Sequence, residues 1–70
     1  MKHGARNDIP ATVTAIKRGG VMAQVEVELV GTTYRVASVM TVDSLEELGL
    51  EEGDTVHVLA KPVNVLLVKP

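Results

Sequence analysis

Across residues 21–29 every second side chain is aliphatic: Val21, Ala23, Val25, Val27 and Leu29 fall on one face, and Met22, Gln24, Glu26 and Glu28 on the other. A strict period of two is the pleat of a strand with one buried face, and a helix cannot satisfy it. The other elements are read outward from this strand. Residues 11–16, with β-branched Thr12, Val13 and Thr14, predict a preceding strand that begins once Pro10 ends an irregular opening segment. Lys17-Arg18-Gly19-Gly20 predicts the turn between the two. After Gly31, residues 33–40 predict a third strand in which Tyr34, Val36, Ser38 and Met40 oppose Arg35, Ala37 and Val39. Both of its faces are mixed, as expected if one meets a core and the other a neighbouring subunit.

Residues 43–50 predict a short helix. Asp43 or Ser44 can cap it, with Glu46 or Glu47 three residues later, and Gly49 suits the left-handed position at its end. Residues 51–54 then predict a turn, 55–60 a fourth strand, Lys61-Pro62 a break and 63–68 a fifth strand. The expected fold is mainly β, and five strands with one short helix between the third and fourth is the order of an OB-like barrel. Neither a linker nor a repeat interrupts residues 1–70, which read as a single domain.

A core this small leaves little margin of stability. Seventy residues bury a modest fraction of their surface, and without cysteine neither a disulfide nor a thiolate metal site can compensate. The apolar residues are aliphatic: Phe and Trp are absent and Tyr34 is the one aromatic. That is more aliphatic surface than a monomer of this length readily hides, so a homo-oligomer is expected, against the alternative of a small β monomer with a tight aliphatic core.

Composition also narrows the function. An OB-like barrel suggests single-stranded nucleic acid, but such readers stack bases on aromatic platforms in a basic groove. One tyrosine and a net charge of −2 argue against a nucleic-acid partner. Acidic Asp43, Glu46, Glu47, Glu51, Glu52 and Asp54 form a run without a base, which helix capping and solvation explain. Catalysis is not expected, and no catalytic cofactor with it: His57 has no obvious orienting acid in the sequence and reads as a surface or interface residue. The His3 terminus could chelate Cu(II) or Ni(II), as any chain with histidine third can, and is read as incidental, so no metal-cation ligands are assigned. The start Met1-Lys2-His3-Gly4 lacks the apolar core of a signal peptide, and no stretch reaches transmembrane length, so a cytoplasmic protein with no membrane partner is expected.

One chemistry fits the residues that remain. A tetrahedral dianion needs donors: guanidinium, ammonium, hydroxyl and backbone N–H. Arg6 and Asn7 near the start, Thr41 and Ser44 at the helix, and Lys61 near the end supply such groups.

Four pieces carry a resemblance to a known family: Ala5-Arg6-Asn7; Val21-Met22-Ala23-Gln24-Val25 after a glycine turn; residues 41–53 from Thr41 to Gly53; and Ala60-Lys61 before the last strand. In order and spacing they resemble the molbindin (Mop) family, whose domain is also called TOBE. The resemblance implies a barrel that exchanges β structure in a dimer, three dimers forming a homohexamer. It also implies molybdate or tungstate bound at subunit interfaces, for storage or buffering in the cytoplasm. The matching positions are Ala5, Arg6, Asn7, Thr41, Ser44 and Lys61, with Gly20, Val21 and Met22 offering backbone groups to a possible second site. Two positions depart from the family. Gly4 stands where serine is usual and loses a hydroxyl, and Pro62 stands where a small residue is frequent and loses a backbone N–H. These departures favour the alternative reading, an oligomeric assembly or interaction module without high-affinity oxyanion binding.

Overall fold

The computed structural model describes residues 7–70. In chain order the elements are β1 (Asn7–Arg18), β2 (Met22–Leu29), β3 (Arg35–Thr41), α1 (Val42–Leu48) and β4 (Thr55–Ala60), followed by a 3-10 turn at Pro62–Asn64. The four strands form one antiparallel sheet in the order β3-β2-β1-β4.

β1 is longer than the sequence predicts, because residues 7–10 pair with β4, Asn7 opposite Ala60 and Pro10 opposite His57. Pro10 is tolerated for a geometric reason. A residue's N and C=O point to the same side of a strand, and the Pro10 carbonyl accepts from Val30 N at 3.0 Å. The missing donor therefore faces the β2 side, where the regular ladder begins only at Ala11 opposite Leu29, and not the β4 side.

Midway, β1 bulges. Val13 pairs with Val27 but Ala15 pairs with Glu26, leaving Thr14 as the extra residue, with its hydroxyl donating to the Glu26 carbonyl at 3.1 Å. The bulge moves the inward-facing set from Ala11 and Val13 to Ile16, which pairs with Val25, and it bends the strand. The turn ahead of β4 docks there, with Val13 N donating to Asp54 O and Gly53 N to Val13 O, both at 2.9 Å. Gly53 has a φ of 93°, open to glycine and strained for any other residue.

The core is Ala11, Val13, Ala23, Val25, Val27 and Leu45, all from β1, β2 and α1. Alternation in β2 therefore holds as expected, except that Val21 lies outside the strand and is exposed. In β3 and β4 the inward positions Met40, Val56 and Val58 pack against this cluster only in part. α1 follows β3 directly, and Thr41, not Asp43 or Ser44, is its N-cap: its extended backbone (φ −71°, ψ 153°) ends the strand while its hydroxyl accepts from Ser44 N. Gly49 closes the helix in the left-handed conformation (φ 64°), donating to the carbonyls of Leu45 and Glu46.

The expected fifth strand at residues 63–68 is not formed, so among the described residues the sheet has four strands and stays open along β3 and β4. Residues 63–68 are exposed, the first two within the 3-10 turn and 65–68 irregular, with Leu66 at 86 % and Leu67 at 87 %. Valine and leucine favour a strand only beside a partner. β1 is already flanked on both sides, and the 3-10 turn at Pro62 leads the chain out of register with β4.

Candidate oxyanion-binding site

Thr41 and Ser44 meet at the start of α1. Thr41 Oγ1 accepts from Ser44 N at 3.1 Å and donates to Ser44 Oγ at 2.9 Å. The Thr41 hydroxyl is thus engaged in capping, and the Ser44 O–H is the donor this pair can direct outward. The Gly20-Val21-Met22 backbone lies beside them: Met22 pairs with Thr41, and Val42 N donates to Val21 O at 2.7 Å. Arg18 adds a cation at this end of the sheet, held 3.4 Å from Glu46. The possible second site and the helix hydroxyls therefore form one neighbourhood.

Asn7 and Lys61 form the other. Asn7 opens β1 opposite Ala60, the last residue of β4, and Lys61 follows in extended conformation as the cap of the 3-10 turn. Pro62 occupies the first position of that turn, so no N–H accompanies the Lys61 ammonium there. Ala5 and Arg6 lie outside the described residues.

The expected donors are not gathered in one place. Met22 lies next to Ala23, which pairs with Arg18 at the end of β1, whereas Asn7 begins that strand. The two groups sit at opposite ends of a twelve-residue strand in a molecule 36 Å long.

Two features escaped the sequence. His57 does have an acid: its Nδ1 lies 2.7 Å from Asp8 Oδ1, because the two lie diagonally, two residues out of register across β1 and β4, and so share a face. The signal was available only through the β1–β4 pairing, since the two are 49 residues apart. The second is an apolar groove of about 400 Å³ along the open side of the sheet, walled by Val36 and Met40 of β3, Leu48 of α1, Leu50, and Val56 and Val58 of β4. Among the described residues no group of three or more His, Cys, Asp or Glu could hold a metal cation, and no helix is long and apolar enough to cross a membrane.

A curled antiparallel sheet with one capped helix, donor clusters at its ends and little beyond aliphatic side chains in its groove defines a small binding domain. Residues 4–67 match the model of the TOBE domain, and the chain belongs to that family. Over 68 residues it is 35 % identical to molybdenum-pterin-binding protein 3 of Clostridium pasteurianum, covering 97 % of this chain and 98 % of that one. A molybdate-binding protein from Sporomusa ovata superposes with a TM-score of 0.88 at 36 % identity, covering 99 % of this chain and 100 % of the other. ModG, a cytoplasmic molybdate-binding protein solved with molybdate bound, superposes with a TM-score of 0.79 at 39 % identity, over 87 % of this chain and 43 % of its own. The Mop resemblance is thereby established over nearly the whole chain.

Proposed function

We propose that this protein binds molybdate or tungstate at the subunit interfaces of a homo-oligomer and stores or buffers the anion in the cytoplasm, without catalysis. What carries the reading is the placement of two donor clusters at opposite ends of β1 in a chain whose full-length relatives are molybdate-binding proteins. A dianion held from several sides then needs donors from more than one copy. Arg6 and Lys61 neutralise it, the backbone of Ala5 and Asn7 and the Ser44 hydroxyl orient it, Thr41 holds Ser44, and Gly20, Val21 and Met22 offer backbone donors beside that pair. The anion, rather than a pterin, is assigned because the groove is walled chiefly by aliphatic side chains that offer a heterocycle few hydrogen bonds.

Association is supported by the same fold. Among the described residues β3 and β4 are both free edges, the groove between them is apolar, and residues 63–68 form an exposed, mainly apolar segment. Exchange of that segment between copies covers both, giving a dimer; three dimers give the hexamer. Pro62 favours a second reading, the same assembly without the ligand, since its missing N–H removes a donor beside Lys61.

Native mass spectrometry before and after adding molybdate, with sulfate as control, tests both. A hexamer that gains discrete molybdate masses, and loses them in an Arg6→Ala variant, supports binding. A hexamer that gains none supports the ligand-free module, and a monomer refutes both.

A further inference from the structure

We propose that residues 65–68 serve two interfaces at once: Val65 and Leu67 fill the groove of the exchange partner, and Leu66 and Val68, on the opposite side, are the contact through which one dimer of this chain joins another. The inference rests on the exchange reading above and adds a second surface to it. The chain becomes extended at Val65 (φ −95°, ψ 119°), directly after the 3-10 turn. Successive side chains of an extended segment point to opposite sides, so Val65 and Leu67 share one side and Leu66 and Val68 the other. Both sides are aliphatic, and no charge occurs from Pro62 to Val68.

A strand that is apolar on both sides is one that is covered on both sides. The groove, walled by Val36 and Met40 of β3 and by Val56 and Val58 of β4, can take only one of them. Val65 marks which, because it is already half-covered at 47 % exposure, against 82 to 87 % for Leu66, Leu67 and Val68. The period of two carries Leu67 with it. Once the groove is filled, Leu66 and Val68 still face water.

The size of that remainder fits an interface. A buried leucine or valine side chain withdraws roughly 100 Å² from water, so two dimers meeting pair to pair withdraw roughly 400 Å² through these four side chains. That is the dry centre of a contact, and a stable one needs about 1,200 to 2,000 Å² in total, completed by a polar rim. Beside β3 the centre continues into Val39, 64 % exposed on the outward side of the sheet opposite Gln24. On the same side the Arg35–Glu28 pair, 3.7 Å apart, belongs to the rim. The occupant is another dimer of this chain because the strip is uncharged. It offers a foreign partner no ionic group to select, whereas permanent contacts between identical chains are apolar like a divided core. Two-fold exchange also gives every dimer two copies of the strip, each able to meet its own like.

Light scattering and native mass spectrometry of the purified full-length protein test this in the absence of any anion. The wild type is expected to form a species larger than a dimer. Leu66→Gln combined with Val68→Thr is expected to stop at the dimer with its far-UV circular dichroism unchanged, and Val65→Thr combined with Leu67→Gln to fall to the monomer. A wild type that stops at the dimer overturns the inference and leaves exchange standing. So does a Leu66 and Val68 variant that assembles as far as the wild type or falls to the monomer, and this variant decides alone if the other does not fold. A Val65 and Leu67 variant that folds and still dimerises overturns the assignment of sides and the inference with it. A monomeric wild type overturns exchange as well.

Discussion

Replacing Leu45 with alanine tests how the helix is held. Leu45 is 1 % exposed and is the single buried residue of α1; it joins the core with Ala11, Val13, Ala23, Val25 and Val27. Removing three buried carbons forfeits about 2.4 kcal/mol of transfer free energy, and the cavity left behind raises the cost to about 3 to 4 kcal/mol. Helix propensity adds no penalty, because alanine is the best helix former. A domain of this length has a total stability on the order of 4 to 10 kcal/mol, so the loss is a large share of it. At about 4 to 8 °C per kcal/mol, the melting temperature is expected to fall by roughly 12 to 30 °C. Far-UV circular dichroism melts at fixed protein concentration measure this, since association shifts apparent stability by mass action. Exposed Glu47 on the same helix supplies the control: Glu47→Ala is expected to change stability by no more than about 0.5 kcal/mol. If the two variants melted within about 1 kcal/mol of one another, Leu45 would not be the anchor and the account of how α1 is held would be wrong.

Three further expectations follow from the same geometry. Thr41→Ala removes the hydroxyl that accepts from Ser44 N and is expected to cost about 1 kcal/mol in thermal or urea melts, whereas Asp43→Ala, one residue inside the helix, is expected to cost less. Leu66→Glu leaves an isolated chain nearly unaffected, because Leu66 is exposed in it; light scattering is expected to show dissociation into smaller species, and an unchanged assembly would rule out burial of residues 63–68 between copies. On the proposed reading, Gly4→Ser combined with Pro62→Ser adds a hydroxyl and a backbone N–H to the anion site. A charged hydrogen bond is worth roughly 1.5 to 3 kcal/mol, so molybdate is expected to bind about one to two orders of magnitude more tightly, and an unchanged dissociation constant would show that neither position touches the ligand.

Local periodicity made much of this fold legible. The alternation of β2, the limits of β4 and the left-handed Gly49 were all readable because each is decided by residues adjacent in sequence. The N-cap was misplaced by two or three residues because Thr41, Asp43 and Ser44 are all competent caps, and the choice among them depends on where β3 stops pairing with β2. Residues 63–68 read as a strand on composition, but a strand is a relation between two segments, and one chain offers this segment no partner in register. Of the candidate site, the sequence named the donor types without their separation. Only the register of β1 with β2 and β4 shows that Asn7 and Thr41 lie at opposite ends of the sheet, and only that register brings Asp8 to His57.

The arrangement of donors along β1 has a topological consequence. On the proposed reading, a subunit that offers half a site at each end of one strand is a two-ended connector, like a bifunctional monomer in polymer chemistry. Joined in a line, such units leave an incomplete half-site at each terminus whatever the line's length; joined in a ring, they leave none. Ligand capacity per subunit therefore rises as a chain of copies closes, and an oxyanion that prefers complete sites favours closure over growth. On that reading the length of a single strand, Asn7–Arg18, which separates the two clusters, bears on whether the assembly is finite.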